Sequence, residues 1–474
     1  MSKSSYLFFF LCAACILHGY AQAQTAFTSI PLNSLDAFDR PGSNWSVAGD
    51  AVADLNTEGV MSALPGTGTV VNLISQKDNT HLVTKQNFGD IELELDFMMP
   101  KGSNSGIYLE GRYEVQLFDS WGNADPGYAD CGGIYQRWDD KRPGDKKGYE
   151  GMAPLMNTAK APGLWQHMRI RFRAPRFDSQ GKKTENARFE AVYLNGVLVQ
   201  QQAEVTGPTR SAAFQEEKPE GPLMLQGDHG NVAFRNISYR SLTGDNSTPE
   251  DTDLDDPILI KAKGSPYLLR SFISYKDKLL THGISVGDPK EVNYSYDMKQ
   301  GALFQVWRGQ FADATDLWHG RGEPYQRIVP LGSVIVLSDA PSLAVLPDVN
   351  ATQWPATLAF DDMHNKGYVL DAARSPSFRY SFNNMNVTDK ISVPDAKGLT
   401  RTITVANAPA GLYIRVVAGN KIEPLGRDMY AVDGKQYYIA VSDKLKPLIR
   451  QVGDSRELLI AVKSNDPVTY SLIW

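Results

Sequence analysis

The sequence contains little cysteine, no cluster of basic residues and a single long apolar run. Three of the 474 residues are cysteine, and Cys12 and Cys15 lie close to the amino terminus. Cys131 alone remains in the rest of the chain, so an intramolecular disulfide framework is excluded there. Lys and Arg number 48 against 54 Asp and Glu, and they form no basic stripe that could follow a phosphate backbone. We therefore expect no nucleic-acid partner.

The single apolar run indicates an export signal. It extends from Tyr6 to Leu17, after the basic Lys3 and before a stretch of small residues. A transmembrane helix needs roughly 20 apolar residues, so this run is too short to span a bilayer. We predict a signal peptide over residues 1–23, a secreted or periplasmic protein, and no membrane span. A lipoprotein attached through Cys15 is less favoured, since Cys12 stands where leucine is usual.

The remaining sequence predicts an all-β protein. It contains 27 prolines and 40 glycines, and Thr, Val and Tyr occur in short runs without a long helical pattern. Alternating apolar and polar residues predict strands at Ile91–Phe97 and Tyr113–Leu117, and Asn195-Gly196 predicts a hairpin turn. Many short strands imply antiparallel sheets that pack face to face as a sandwich.

Composition divides the chain into two β-rich regions. Residues 243–256 lack periodicity and are rich in Asp, Thr, Ser and Pro, which is typical of a linker. We predict one sandwich domain over residues 27–242 and a second, accessory β-sandwich-like domain over residues 257–474. A polar loop of the second region could form a site, although such loops are more often solvated; its residues are Asp313, Asp316, His319, Arg321 and Glu323.

Carboxylates are the leading candidates for chemistry, because several common catalytic motifs are absent. No two histidines have zinc-ligand spacing, and the chain has no nucleophile elbow or phosphate-binding glycine loop. The segment 103–120 reads as two strands around a glycine, which places Arg112, Glu114 and Gln116 on one sheet face. Asp119 follows just past the strand end. A solvated antiparallel face would show the same pattern.

Nearby side chains favour a carbohydrate site over a merely solvated face. Gln116 can hydrogen-bond sugar hydroxyls, and Arg112 can hold a neighbouring carboxylate. Ring-stacking surfaces and a late glycine-flanked polar segment complete the candidate substrate-binding set, namely Tyr108, Tyr135 and Trp138, followed by Gln226, Asp228 and His229.

Several motifs resemble one known family. They are FGDIELELDF at 88–97, NSGIYLEGRYEVQLFDS at 104–120, GGIYQ at 132–136, GLWQHMRI at 163–170, YLNGVLV at 193–199 and GPLMLQGDHGNVAFRNI at 221–237. Together they are similar to the secreted 3-keto-disaccharide hydrolase family over about half the chain. The resemblance implies a concanavalin-like jelly roll with its site on the concave sheet. It also implies a sugar substrate whose carbon-3 hydroxyl has been oxidised to a ketone. One departure is Glu110, which stands where an arginine is expected.

A ketone at carbon 3 allows elimination chemistry. It acidifies the carbon-2 hydrogen, so a base can remove that proton and the glycosidic oxygen on carbon 1 can leave. Water then adds, or the unsaturated sugar is released. This route needs a base, an enolate stabiliser and an acid. We assign Glu114 as the base, Arg112 or His229 as the stabiliser, and Asp119 or His229 as the acid. A divalent metal ion bound by Glu114, Asp119 and His229, or by the substrate itself, could replace the protein stabiliser.

Two other functions fit parts of the sequence. An ordinary retaining β-glucan-type glycoside hydrolase would use Glu92, Glu94 and Asp96, whose spacing permits the separation of about 5–5.5 Å that retention requires. An acidic outer sheet face explains the same three residues more simply. A non-catalytic carbohydrate-binding protein is the third alternative, since fold alone does not determine function. A carbohydrate is the expected partner in all three cases.

Overall fold

The computed structural model describes residues 26–75, 77–242, 257–275, 278–318, 327–426 and 428–474. The predicted signal peptide and linker lie outside these residues, as do His319, Arg321 and Glu323 of the polar loop. Within the described part, no helix is both long and apolar enough to cross a membrane. Helical segments there are short: α1 (Thr315–Trp318) and three 3-10 turns at Gly144–Lys147, Phe360–Asp362 and Asp443–Leu445.

The first region consists of short strands. In chain order they are β1 (Thr28–Ser29), β2 (Trp45–Ala53), β3 (Met61–Asn72), β4 (Leu82–Phe88), β5 (Ile91–Met98), β6 (Asn104–Leu109), β7 (Tyr113–Phe118), β8 (Arg137–Trp138), β9 (Gly148–Tyr149), β10 (Gln166–Arg173), β11 (Arg176–Phe177), β12 (Lys183–Glu185), β13 (Ala187–Leu194), β14 (Val197–Val205), β15 (Gly221–Leu225) and β16 (Val232–Ser241). The two strands that alternation predicted are confirmed as β5 and β7.

Two antiparallel sheets of this region pack face to face as a jelly-roll sandwich. The eight-stranded sheet has the order β14-β13-β10-β5-β16-β3-β2, with β1 paired to β16, and the four-stranded sheet has the order β4-β15-β6-β7. Leu93 and Leu95 of β5 share one buried cluster with Val115 and Leu117 of β7, so the core lies between the sheets. The period-2 alternation of both strands therefore sends every second side chain away from this core.

The hairpin predicted at Asn195-Gly196 is confirmed between β13 and β14. Both residues have positive φ, 53° and 83°, and Leu194 pairs directly with Val197. Two successive left-handed residues form the type I′ turn, whose twist matches that of antiparallel strands.

The second region is also built from antiparallel strands. They are β17 (Leu259–Ile260), β18 (Tyr267–Tyr275), β19 (Lys278–Gly287), β20 (Val292–Asp297), β21 (Ala302–Asp313), β22 (Val329–Val336), β23 (Leu343–Val345), β24 (Met363–Leu370), β25 (Pro376–Phe382), β26 (Met385–Asp395), β27 (Gly398–Ala406), β28 (Leu412–Gly419), β29 (Ile422–Gly426), β30 (Met429–Val432), β31 (Tyr437–Ala440), β32 (Leu448–Val452), β33 (Ser455–Ala461) and β34 (Val468–Ile473).

The strands of the second region form three sheets around one core. Six strands follow the order β17-β21-β20-β19-β18, with β22 on β21; four follow β23-β28-β33-β32; and eight follow β24-β25-β26-β27-β34-β31-β30-β29. Tyr296 of the first sheet stacks on Phe378 of the third at 3.9 Å, and Ile414 of the second belongs to the same buried cluster. The region is therefore a second sandwich-like β-structure.

The two regions contact each other directly. Ala161 and Leu164 of the first region belong to the buried cluster of the second. The Lys435 ammonium donates to Oδ2 of Asp50 at 2.5 Å and to the Ala51 carbonyl oxygen at 2.7 Å. Residues of both regions therefore line any groove between them.

Candidate active site

The candidate site lies on the side of the four-stranded sheet that faces away from the core. Ile107 and Val115 face the core, so the residues that alternate with them face outward. Antiparallel pairing places Tyr108 opposite Glu114 and Gly106 opposite Gln116. We call this surface the four-stranded face; its residues are Asn104, Gly106, Tyr108, Glu114, Gln116 and Gln226.

The turn between β6 and β7 sets this register. Glu110 and Gly111 both have positive φ, 55° and 64°, and the Arg112 amide donates to the Leu109 carbonyl oxygen at 3.0 Å. Three residues, Glu110 to Arg112, thus connect the strands, and this turn fixes the pairing of Leu109 with Tyr113.

Glu114 is a buried carboxyl group without a cationic partner among the ion pairs of the described residues. It is only 2% exposed, and burial raises the pKa of its carboxyl group to about 8. A hydrogen bond from Tyr108 opposes this rise in pKa, and the charge of Asp228 adds to it. Such a group changes protonation state near neutral pH, as a general base or acid must.

Gly106 provides the space that the Glu114 carboxyl group occupies. A Cβ atom at this position would collide with Oε1 of Glu114. A larger residue here would therefore displace the carboxyl group from its place beside Tyr108.

The glycine-flanked segment after β15 adds an imidazole and a carboxylate to the same site. The backbone amide of Gln226 donates to the Gly106 carbonyl oxygen at 2.9 Å, which joins this segment to the four-stranded face. Nδ1 of His229 lies 2.6 Å from Oδ1 of Asp228 and 3.3 Å from Nε2 of Gln226. Oε1 of Gln226 is buried and has no hydrogen-bond partner in the described part of the chain. The structure thus places Glu114, Gln226, Asp228 and His229 in one group, with a free acceptor among them.

A second histidine joins this group, and the sequence analysis did not select it. Nδ1 of His81 accepts a hydrogen bond from the Gly227 amide at 3.2 Å and lies 3.9 Å from Oδ1 of Asp228. Burial lowers the pKa of His81, and the charge of Asp228 only partly opposes that shift. His81 precedes His229 by 148 positions and belongs to no motif, so nothing in the sequence indicates that the two histidines lie near the same aspartate.

Aromatic rings and an arginine border the site. Tyr135 donates its amide to the Glu114 carbonyl oxygen at 3.2 Å, and its ring meets Tyr128 edge-on at 5.7 Å. The exposed Arg210 guanidinium lies 3.9 Å from the centre of the Trp138 ring and hydrogen-bonds the Tyr135 hydroxyl group. Sequence reasoning missed Arg210, because it lies on an irregular loop far from the carboxylate motif.

Gln116 remains on the four-stranded face, two residues from Glu114. Its Nε2 atom donates to Oδ1 of Asn104 at 3.0 Å. This bond orients the amide but leaves its carbonyl oxygen available to a sugar hydroxyl.

Arg112 requires a correction, because it does not extend the pattern of Glu114 and Gln116. It is the last residue of the hairpin turn, and its guanidinium donates to carbonyl oxygens of Glu216 at 2.7 Å and Glu110 at 2.8 Å. Strand alternation does not continue through a turn, so counting in twos placed this side chain wrongly. Its described contacts stabilise the turn.

Asp119 also lies apart from the group around Glu114. Its Oδ2 atom accepts a hydrogen bond from the Gly102 amide at 2.9 Å. Burial raises the pKa of Asp119, and the charges of Lys397 and Lys101 oppose that rise. Among the described residues, no three His, Cys, Asp or Glu side chains are arranged to hold a metal ion. Asp119, Glu114 and His229 therefore do not form the shared ligand set that the sequence suggested.

The acidic strand considered for an ordinary glycosidase lies on the other sheet and is neutralised by arginines. Glu92 pairs with Arg240 at 2.5 Å and with Arg171 at 3.5 Å. Asp96 accepts hydrogen bonds from His167 at 3.0 Å and Asn236 at 2.8 Å. Carboxylates held by such donors are poor proton carriers, so this strand is an ion-paired outer face.

Comparison with known proteins agrees with the sequence motifs. Residues 34–240 match the family model of the 3-keto-alpha-glucoside-1,2-lyase-like domain. No curated protein is significantly similar to the chain.

Three solved structures illustrate the structural likeness. A candidate glycosyl hydrolase of Parabacteroides distasonis is 24% identical, with 45% of this chain and 84% of that one covered and a TM-score of 0.30. The carbohydrate-binding module CBM66 of Bacillus subtilis is 12% identical, with 42% and 96% covered and a TM-score of 0.22. The receptor-binding domain of botulinum neurotoxin mosaic serotype C/D is 9% identical, with 91% and 92% covered and a TM-score of 0.22.

The family match covers every residue of the group around Glu114, and glycoside hydrolase or lyase chemistry is the general activity it supports. Residues 34–240 therefore form a domain of the 3-keto-alpha-glucoside-1,2-lyase-like family, as the sequence motifs predicted.

Proposed function

We propose that the first region cleaves the glycosidic bond of 3-keto-glycosides and that Glu114 is the base. The observation that carries this proposal is the buried carboxyl group of Glu114, whose pKa of about 8 makes it a stronger base than an exposed glutamate. The family match supports the choice of a sugar bearing a ketone.

The reaction is an elimination. Glu114 takes the proton from carbon 2, and the electrons of that C–H bond form an enolate with the ketone at carbon 3. The enolate then collapses to a double bond between carbons 1 and 2 while the C1–O bond breaks. The leaving oxygen receives a proton, which yields an alcohol and an unsaturated 3-keto-sugar; addition of water across the new double bond completes a hydrolysis.

The neighbouring side chains have distinct roles in this scheme. His229, hydrogen-bonded to Asp228 and half-exposed at the rim, is the acid that protonates the leaving oxygen. We assign the side-chain NH₂ group of Gln226 as the donor to the enolate oxygen, because the single proton of the Tyr108 hydroxyl is already directed to the Arg210 carbonyl oxygen and to Glu114. Tyr135 and Trp138 provide faces for the sugar rings, and Arg210 between them orients the hydroxyl groups. A divalent ion brought by the ketone and an adjacent hydroxyl would supply further stabilisation of the enolate.

The decisive experiment is incubation of the purified protein with a 3-keto-disaccharide in D₂O. Elimination followed by hydration should yield a 3-keto-monosaccharide with one deuterium at carbon 2, whereas the unoxidised disaccharide should remain intact. Cleavage of the unoxidised sugar without deuterium would instead identify an ordinary glycosidase. Tight binding without any product would identify a carbohydrate-binding protein. We also propose export to the periplasm or cell exterior, which amino-terminal sequencing of the natural protein tests.

A further inference from the structure

A second cleft lies between the two regions, on the opposite side of the first core from Glu114. It encloses about 580 Å³, within the range of small-molecule sites. One wall comes from the outer surface of the eight-stranded sheet, where β5, β10 and β16 carry Asp96, His167 and Arg235. The other wall comes from β22 and from the turn at 433–437. All of its lining residues lie in the described part of the chain.

Lys160 lines the cleft, and its ammonium group forms no ion pair with a carboxylate of the described residues. Among the described residues, the Trp165 carbonyl oxygen is the one hydrogen-bond acceptor of Lys160 Nζ, at 3.4 Å. The charge of Asp96 raises the pKa of Lys160, but the Asp96 carboxylate already accepts hydrogen bonds from His167, Arg235 and Asn236. Burial accordingly lowers the pKa of Lys160 to about 8. An anionic group in the cleft would relieve this desolvated charge.

The other charged side chains of the cleft already have partners, so its described lining offers no second free cation. The Arg235 guanidinium lies 4.0 Å from the Trp165 ring and bonds Asp96. Oδ1 of Asp433 is held by the backbone amides of Asn420 and Lys421. A phosphate would call for several cationic or backbone donors, whereas one ammonium suits the single charge of a carboxylate.

Groups suited to hydroxyls and to an apolar ring face complete the cleft. Gln436 is exposed at its edge, and Ser333 of β22 belongs to the same wall. The half-exposed side chains of Val334 and Val336 offer an apolar strip beside them. The volume exceeds that of a monosaccharide and leaves room for a second ring.

We propose that this cleft binds a small carboxylated saccharide, with the carboxylate on Lys160 and the sugar hydroxyls toward Gln436. The ligand class is a uronic acid or a disaccharide that contains one. Binding at this site does not depend on the chemistry at Glu114. A failure of the proposed function would therefore leave the binding proposal unaffected, and the reverse also holds.

Calorimetric titration of the full chain at pH 7 tests the proposal. Glucuronate is the acidic probe, glucose the neutral one and inorganic phosphate the simple anion. We expect glucuronate to bind at least about tenfold more tightly than glucose or phosphate, because only glucuronate satisfies both the ammonium and the hydroxyl-binding groups. Equal binding of glucuronate and phosphate would overturn the saccharide assignment, and equal binding of glucuronate and glucose would overturn the role of Lys160.

Two variants locate the binding. Lys160→Met keeps the apolar stem and should weaken glucuronate about ten- to hundredfold. The exposed Lys463, on the far part of the second region, provides the matched control Lys463→Met, which should bind as the wild type does. Gln436→Ala lies at the surface and should weaken glucuronate several-fold without affecting folding. Wild-type affinity in both Lys160→Met and Gln436→Ala would refute the site.

Discussion

Two strands of the first region, β5 and β7, have almost the same alternation of apolar and acidic residues and opposite chemical roles. Glu92 on β5 forms ion pairs with the side chains of Arg240 and Arg171. Glu114 on β7 lies beside a tyrosine and a second carboxylate and forms no ion pair with a cation of the described residues, and burial raises its pKa to about 8. The difference teaches that the neighbours supplied by other strands and loops, and not the strand pattern, decide whether a carboxylate is structural or reactive.

Removing one carboxylate from each strand should give the largest difference in turnover between the two strands. Glu114→Gln retains size and hydrogen bonding but loses the basic oxygen, so turnover of a 3-keto-disaccharide should fall ~10²–10⁴-fold. Glu92→Gln should keep nearly normal turnover, because Glu92 lies on the other sheet. Steady-state assays on both variants, with circular dichroism to verify folding, test this. Comparable activities in the two variants would remove Glu114 from the mechanism.

The ion pairs of Glu92 on β5 should contribute measurably to stability. Glu92→Gln removes the carboxylate charge that Arg240 and Arg171 contact in a nearly buried setting, although Arg171 keeps its contact with Glu190, so the unfolding free energy should fall by about 3 kcal/mol. The control is Glu423→Gln, which breaks an exposed pair with Lys421 and should change stability by less than about 1 kcal/mol. Chemical denaturation measures both. A negligible effect of Glu92→Gln would mean that the arginines find other partners.

Gly106 tests the geometry of the reactive strand without altering a charged group. The added methyl group of Gly106→Ala should displace the Glu114 carboxyl group and reduce turnover ~10–10²-fold, because positioning errors of about 1 Å have effects of this size. Gly127→Ala is the control, since its Cβ would meet only ordinary contacts. Kinetics that match the wild type in Gly106→Ala would show that the carboxyl group is not held where the reaction needs it.

The smallest effect is the pH dependence that the raised pKa of Glu114 implies. A base acts in its ionised form, so kcat/KM should rise about tenfold per pH unit below pH 8 and level off above it. An exposed or ion-paired carboxylate would instead give a flat profile from about pH 5 upward. The residual kcat/KM of Glu114→Gln should not show this rise toward pH 8. A limb that persists in this variant would belong to another group.

Sequence reasoning identified the strand that carries Glu114 because period-2 alternation and a glycine turn are local properties. It failed for Arg112 for the same reason, since alternation stops where the turn begins and the guanidinium bonds backbone carbonyls. His81 and Arg210 reach the site from loops that are distant along the chain. Their approach depends on strand pairing between β4, β15 and β6, which one sequence does not specify.

The sequence by itself determined the all-β class, the two strands around Gly111, the hairpin at 195–196, and the candidate base Glu114. These follow from side-chain periodicity and from residues that tolerate positive φ, which act over only a few positions. Only the tertiary structure decided which acidic strand is ion-paired, which histidines meet Asp228, and that Lys160 lies in a cleft between the regions. Those outcomes depend on burial and on charges brought together across more than a hundred residues, because desolvation and Coulomb energies follow distance in space and not in sequence.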